Sequence, residues 1–180
     1  MIIRKAEKKD MEELLKLYAR ARAFMKETGN PNQWKDSYPQ PEVIEKGIQE
    51  GKAYVALAEG LEESGEEGSV QKGEILGTFY FAIEEDPSYQ RIEGGSWLNA
   101  QPYGVIHRVA SSGRGKGFSA ACFAWAAQQC LKAGCGNLRI DTHEDNRVMQ
   151  HVLEKNGFSY CGRIYLADGS PRLAYQKVLG

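Results

Sequence analysis

The chain has 180 residues, 42% of them hydrophobic, and a formal net charge of −1 from 23 basic and 24 acidic side chains. Its length predicts a single domain, residues 1–180, and is enough to bury a core. The near-neutral charge excludes the basic surface of a nucleic-acid-binding protein, and no apolar run approaches the roughly 20 residues that cross a membrane. The start of the chain lacks the apolar stretch of a signal peptide, so we expect a cytoplasmic protein.

The first part of the chain is predicted to form a strand and two helices. The strand covers residues 2–6. Asp10 and Glu13 are spaced as in a capping box, so a helix is expected to begin there. Its apolar residues recur at helical spacing and predict a buried stripe of Met11, Leu14, Leu15, Tyr18 and Met25. Gly29-Asn30-Pro31 ends this helix, and residues 42–50 form a shorter second helix.

The remaining elements alternate strands with helices. Residues 53–58 and 75–83 are predicted strands because β-branched and aromatic residues concentrate there. The connection between them, residues 60–73, holds four glutamates and four glycines and predicts a solvated hairpin connection. A loop over residues 84–101 follows, then strand 104–110, helix 120–131, strand 138–142, helix 146–156 and strands 159–166 and 173–178. The four cysteines show no paired C-x-x-C spacing, so no zinc site, no other metal site and no disulfide is predicted.

A basic, glycine-rich turn lies between the fourth strand and the helix that follows it. Its sequence is Arg114-Gly115-Lys116-Gly117-Phe118-Ser119. The first amides of a helix lack partners within it, and glycines let an anion approach them closely, so the turn is suited to bind phosphate. The spacing matches neither the G-x-x-x-x-G-K-S/T nor the G-x-G-x-x-G nucleotide loop. The alternative is a flexible basic loop that caps an ordinary helix.

Two segments of the chain resemble the GCN5-related N-acetyltransferase (GNAT) superfamily. The hallmark Arg/Gln-x-x-Gly-x-Gly/Ala is matched by Arg114 and Gly117, with Ser119 in the last place. Downstream, the run from Asp141 to Asn146 leads to the Leu-Glu-Lys-Asn-Gly-Phe string of residues 153–158, which is similar to the family's Tyr-Glu-Lys-x-Gly-Phe ending. Together with the opening strand and helix start, the resemblance spans nearly all of the chain.

The resemblance implies an α/β (α+β) GNAT fold. Its mixed central sheet would have about seven strands splayed between strands four and five, flanked by about four helices. It also implies acetyl-CoA as cosubstrate, with CoA as product and the pyrophosphate held by the glycine-rich turn. Backbone groups of Val109, Ala110 and Ser111 would pair with the pantetheine arm. Asn146 would bond the same arm, although an Asn in this place is also a favoured helix N-cap.

The residues that usually move protons in this family are replaced in this chain. Leu153 stands in place of the usual Tyr, and Tyr103 aligns with the usual Glu. Histidine, with an unperturbed pKa of ~6.5, is the available base. We expect His107 on the fourth strand to act first, with Tyr103 as acid or relay and His143, after the fifth strand, as a further candidate. The alternatives are a core histidine for His107 and a structural partner of Asp141 for His143.

Four aromatic residues are candidates for the acceptor pocket, because the family builds it from the segment between the first two helices and from the fourth strand. They are Trp34, Tyr38, Tyr80 and Trp97. The sequence therefore predicts an N-acetyltransferase that acts on a primary amine of a small molecule or peptide, either as a monomer or as a homodimer. The alternative is a catalytically degenerate module that binds or senses acyl-CoA.

Overall fold

The computed structural model describes residues 1–60 and 70–180, so most of the predicted hairpin connection over residues 60–73 lies outside the described residues. The strands are β1 (Ile2–Lys5), β2 (Ala53–Leu57), β3 (Ile75–Ile83), β4 (Gly104–Ser111), β5 (Asn137–Thr142), β6 (Ser159–Tyr165) and β7 (Pro171–Val178). The helices are α1 (Met11–Glu27), α2 (Pro41–Gln49), α3 (Phe118–Lys132) and α4 (Arg147–Lys155). None of the described helices is long and apolar enough to cross a membrane.

The seven strands form one mixed sheet in the order β1-β2-β3-β4-β5-β7-β6, as the predicted fold requires. Neighbouring strands are antiparallel except β4 and β5, which run parallel because α3 carries the chain back between them. The β4–β5 register extends only from Gly104↔Leu138 to Ile106↔Ile140. On its other edge β4 stays paired with β3 as far as Ser111. From His107 onward, the edge of β4 that faces β5 therefore has no neighbouring strand.

Each face of the sheet is covered by its own pair of helices. Phe118, Cys122 and Ala126 of α3, with Leu153 of α4, pack on one face in a core that includes Phe79, Phe81 and Ile106. Leu14, Leu17, Tyr18 and Ala21 of α1 and Ile44 of α2 pack on the other face against Val55 and Ala110. The four cysteines are all buried free thiols.

Helix α1 begins next to Asp10, but the expected capping box is wrong. The Asp10 carboxylate accepts hydrogen bonds from Arg4 at 2.7 and 2.9 Å and from the Glu7 amide at 2.8 Å, and it caps no amide of α1. The predicted buried stripe is wrong at Leu15, which is 37% exposed. The buried positions follow Leu14 at the spacing i+3, i+4 and i+7, so Leu17 takes the place assigned to Leu15.

A β-bulge interrupts β4 beside the gap. Thr78 pairs with Ala110 and Tyr80 with His107, so one residue of β3 faces two residues of β4. Arg108, within this bulge, has a φ of 53°, a conformation that costs a bulky residue about 1–3 kcal/mol. A bulge bends its strand and re-aims side chains, and bulges are frequent next to active sites. Here it lies at the point where β4 loses β5 as its neighbour.

Candidate active site

A cavity of about 830 Å³ opens where β4 and β5 separate. Some of its lining residues lie on the sheet face that carries α1 and α2: Trp34, Tyr38, Tyr80, Asp86, His107, Arg108, Asp141 and Arg172. Others lie towards α3 and α4: Ile106, Val109, Ile140, Thr142, Asn146 and Met149. The cavity therefore passes through the gap between the two strands and connects both sides of the sheet.

His107 lies in the cavity wall between two carboxylates. Its Nε2 atom is 2.9 Å from Oδ2 of Asp86, and its Nδ1 atom is 3.7 Å from Oδ1 of Asp141. An ionised carboxylate only accepts hydrogen bonds, so Nε2 carries a proton, and this N–H group donates a hydrogen bond to Asp86. In the neutral ring, Nδ1 then holds the lone pair that can accept a proton. The half-buried imidazole, 28% exposed, is thus oriented for base chemistry.

Asp86 is itself held in place by its surroundings. Its Oδ1 atom accepts a hydrogen bond from the Ser88 amide at 2.8 Å, and its own amide donates to the Tyr103 hydroxyl at 3.0 Å. Burial raises the pKa of the Asp86 carboxyl, but the hydrogen bond and charge of His107, with the Ser88 bonds, outweigh burial and lower that pKa below its usual value. Asp86 is therefore ionised at neutral pH and stabilises a positive charge on His107.

Tyr89 supports the second carboxylate. Its hydroxyl donates to Oδ1 of Asp141 at 2.7 Å, and its ring centroid lies 6.0 Å from that of His107. Burial and the adjacent Asp141 carboxylate raise the pKa of Tyr89 well above its ordinary value. Tyr89 therefore stays protonated and keeps donating to Asp141.

Three of the predicted acceptor aromatics line the cavity. Trp34 packs edge-on against Tyr18 at a centroid distance of 5.6 Å and against Tyr38 at 6.4 Å. The Tyr80 hydroxyl donates to Glu84 at 2.5 Å, and the Arg108 guanidinium lies 4.8 Å from the centre of the Tyr80 ring. Burial, together with Glu84, raises the pKa of Tyr80 to about 12. These rings provide apolar surface with polar edges on the α1–α2 side of the cavity.

The glycine-rich turn follows β4 and ends at the start of α3. Gly113, Gly115 and Gly117 have φ values of 76°, 76° and 82°, and Gly117 is the N-cap of α3. Alternating left-handed glycines form a concave row of amides that binds anions. A Cβ atom added at Gly113 or Gly117 would meet no atom within 4 Å, so the space over these glycines is open.

Comparison with known proteins identifies the family. The model of the acetyltransferase (GNAT) family matches residues 11–158. The chain belongs to the GNAT acetyltransferase family. A GNAT acetyltransferase from Streptococcus agalactiae is 32% identical, with a TM-score of 0.75 over 99% of this chain and 95% of the other. One from Listeria monocytogenes is 21% identical, with a TM-score of 0.68 over 99% and 94%, and shows the same fold.

A more distant match of the GNAT fold comes from a structure of the NatC complex bound to Gag peptide and CoA. Its chain is 13% identical, with a TM-score of 0.61 over 99% of this chain and 98% of the other. At this identity the match shows the fold alone. The search of curated proteins finds no match.

The side chains expected to hold the GNAT cosubstrate differ in what they contact. Arg114 forms an ion pair with Glu74 at the start of β3, and Lys116 is exposed. The ring of Phe118 is buried, and a Cβ atom on Gly77 would lie only 2.5 Å from it, so Phe118 offers the turn mainly its backbone amide. Ser119, the next residue, is partly buried. The turn therefore provides amides and open space more than converging cations.

Asn146 is the N-cap of α4, as its alternative interpretation predicts. Its Oδ1 atom accepts from the Met149 amide at 3.0 Å, and its Nδ2 atom donates to Gln33 at 2.8 Å. Close by, the Thr142 hydroxyl is buried, lines the cavity and has no hydrogen-bond partner among residues 1–60 and 70–180. A buried hydroxyl without a partner costs about 1–3 kcal/mol, so a polar group of a ligand in the gap would satisfy it.

Two of the predicted residues lie behind the cavity wall. The Tyr103 hydroxyl accepts a hydrogen bond from the Asp86 amide, and the centre of its ring lies 4.0 Å from the Arg139 guanidinium. Trp97 lies 4.1 Å from the same guanidinium and donates from Nε1 to the Tyr89 carbonyl at 2.8 Å. Neither is among the described residues that line the cavity. Both support the residues that hold the carboxylates near His107.

The structure places His143 outside the described lining of the cavity as well. Its Nδ1 atom accepts from the Asp145 amide at 3.1 Å, and burial lowers its pKa. The alternative that made it a partner of Asp141 is wrong, because Asp141 contacts His107 and Tyr89 instead. His151 is exposed on α4, as predicted.

Sequence reasoning missed several residues that the structure brings to His107. Asp86 and Tyr89 lie in the loop after β3, which has no periodicity that would predict their place. The Asp-Pro pair at residues 86 and 87 signals a turn, and Asp86 does cap the short turn that contains Tyr89. That signal predicts local structure, but the contact with β4 depends on tertiary packing.

Proposed function

We propose that this protein transfers the acetyl group of acetyl-CoA to the primary amine of a small molecule or peptide, with His107 as general base. The observation that carries the proposal is the position of His107, between Asp86 and Asp141 in the wall of the cavity that passes between β4 and β5. General-base catalysis needs a base with a fixed orientation within reach of the proton. The Asp86 contact provides that orientation.

The gap and the glycine-rich turn fit the cosubstrate. The open edge of β4, including the backbone of Val109, Ala110 and Ser111, would hold the pantetheine arm, and the buried Thr142 hydroxyl would gain a partner. The amides around Gly117 at the start of α3 would hold the pyrophosphate. When bound, acetyl-CoA supplies an acetyl group activated as a thioester.

His107 would remove the proton that the amine must lose. An amine arrives mostly as an ammonium ion, which the carboxylates Asp86 and Asp141 attract. Nδ1 of His107 accepts the proton and the ring becomes positively charged. Asp86, 2.9 Å from Nε2, stabilises that charge. Backbone amides that follow the bulge in β4 would donate to the carbonyl oxygen as the neutral amine attacks the thioester carbon and negative charge develops. The C–S bond would then break, and the CoA thiolate would leave and take up the proton held by His107 or one from solvent.

The experiment that tests the proposal is an assay of CoA release from acetyl-CoA with a panel of amines, combined with calorimetry of CoA binding. The proposed function predicts that CoA binds and that its release depends on an amine. Binding of CoA without release by any amine would favour the second candidate, an acyl-CoA-binding or sensing module. The replacement of the usual Tyr by buried Leu153 is the observation that keeps this second candidate.

A further inference from the structure

Arg172 is a buried cation in the wall of the same cavity. It is the second residue of β7 and is only 7% exposed. Asp141 pairs with Ala174 across β5 and β7, and side chains two residues apart on a strand share a face. Arg172 therefore lies on the same face of the sheet as Asp141, and both line the cavity.

The Arg172 guanidinium forms no close ion pair within the described part of the chain. Its Nη1 atom donates to the Pro171 carbonyl at 2.9 Å and its Nη2 atom to the Gln33 carbonyl at 3.1 Å. No described carboxylate lies within 4.0 Å of the guanidinium. These two bonds use two of its five N–H groups, and the carboxylates of Asp141 and Asp168 act on the charge only from beyond 4.0 Å. Burial of a charge that lacks a hydrogen-bonded carboxylate is expensive, and burial lowers the pKa of Arg172 although Asp141 and Asp168 raise it.

The second buried arginine, Arg139, has contacts that stabilise its charge. Arg139 also lacks a carboxylate partner within 4.0 Å among the described residues, but its guanidinium lies between the rings of Trp97 and Tyr103, at 4.1 and 4.0 Å. Aromatic faces attract cations, by about 2 kcal/mol when water is excluded. Arg172 has no such ring contact within residues 1–60 and 70–180. Arg172 lines the cavity, and three of its N–H groups remain to bind a ligand there.

We propose that Arg172 binds a carboxylate of the acceptor, so that the acceptor is an amine that carries a carboxylate close to its amino group. This inference rests on the proposed function. One strand spacing and two residues separate Asp141 from Arg172, about 8 Å between Cα atoms. One small molecule thus places its amine at His107 and its carboxylate at Arg172. A guanidinium binds a carboxylate through two parallel hydrogen bonds. Free amino acids and peptides with an acidic first residue both supply this chemistry.

The test compares matched acceptors on the wild-type enzyme. Each free L-amino acid is assayed beside its amide and its decarboxylated amine, and a further arm uses peptide amides that begin with Asp or Glu. The best carboxylated acceptor should exceed its matched amide about 100-fold in kcat/KM, because the amide leaves the buried guanidinium unpaired. A higher kcat/KM for free amino acids than for their amides identifies free amino acids as the acceptors. A higher kcat/KM for peptide amides that begin with Asp or Glu identifies acidic peptides. Equal rates for acids and amides, with no advantage for peptide amides that begin with Asp or Glu, would overturn the inference while leaving the proposed function intact.

Variants extend the test to Arg172 itself. Arg172→Gln should abolish the preference for carboxylated acceptors and leave the affinity for CoA unchanged in calorimetry. Arg139→Lys is the matched control, a second buried arginine that lies outside the described cavity lining, and the preference should survive it. A preference that persists in Arg172→Gln would contradict the role of Arg172. If Arg172→Gln fails to fold, the wild-type ratio of acid to amide still decides the question. Absence of transfer to every acceptor would contradict the proposed function together with this subsite.

Discussion

The carboxylate of Asp86 lies 2.9 Å from Nε2 of His107, although the two residues come from different elements. Asp86 belongs to the loop after β3, and His107 lies in β4 next to the bulge. The contact fixes which ring nitrogen carries the proton and leaves Nδ1 towards Asp141. The loop therefore fixes the orientation of the His107 ring, which β4 alone would leave free to rotate.

Removal of this base should slow acetyl transfer without weakening CoA binding. We expect His107→Gln to lower kcat/KM by about two orders of magnitude, within the range for loss of a general base. Asp86→Asn should cause a smaller loss, because a neutral amide no longer stabilises the charged imidazole. Steady-state kinetics of the two variants measures both effects.

The control for these variants is His151→Gln, which changes an exposed histidine of α4 and should leave kcat/KM unchanged. A wild-type rate in His107→Gln would remove His107 from the mechanism. A wild-type kcat/KM in Asp86→Asn would show that the charge of Asp86 does not contribute to the reaction.

An added methyl group in the glycine-rich turn should leave the protein folded but weaken the binding of CoA. Gly117 and Gly134 have φ values of 82° and 70°, and a Cβ atom at either would meet nothing within 4 Å. Alanine at each should therefore cost a similar backbone strain of about 1–2 kcal/mol. Only Gly117→Ala should lower the affinity for CoA, about tenfold for a loss of roughly 1.4 kcal/mol of binding free energy. Calorimetry decides; equal affinities in the two variants would place the pyrophosphate elsewhere.

The sequence predicts the elements better than it predicts the site. The run over residues 75–83 is matched residue for residue by β3, because its β-branched and aromatic residues favour a strand whatever packs on it. Strand alternation likewise places His107 on the same face as Val105, and the structure confirms this. Asp86 and Tyr89, by contrast, reach His107 only through the packing of an irregular loop. No local pattern distinguishes Trp34, in the cavity wall, from Trp97 behind it.

The two tryptophans should separate acceptor binding from packing. Trp34 lines the cavity, so Trp34→Ala should raise KM for the amine by about tenfold and leave KM for acetyl-CoA unchanged. Trp97→Phe removes the hydrogen bond to the Tyr89 carbonyl, so it should cost about 1 kcal/mol of stability with no change in the amine KM. Initial rates with each substrate varied in turn test both. The reverse pattern would place the acceptor at Trp97.

Asp10 links β1 to the start of α1 and should make stability depend on pH. The hydrogen bonds from Arg4 lower the pKa of Asp10 below its usual value, despite burial of the carboxylate. A lowered pKa in the folded state means that stabilisation is complete above the unfolded value of ~3.9 and is lost as the pH falls through the folded value. Asp10→Asn should therefore cost about 2 kcal/mol at pH 7, as expected for hydrogen bonds to a charged group, and progressively less below about pH 4.

Urea unfolding of the wild type and Asp10→Asn at pH 7, 5 and 3 measures this difference. The matched control is Glu12→Gln, which removes an exposed pair with Lys16 at 2.7 Å on the same helix and should change the midpoint little at any pH. The Asp10 side chain is only 7% exposed, so water screens its interaction with Arg4 little. A difference between wild type and Asp10→Asn that stays constant down to pH 3 would show that the stabilisation does not come from the ionised carboxylate.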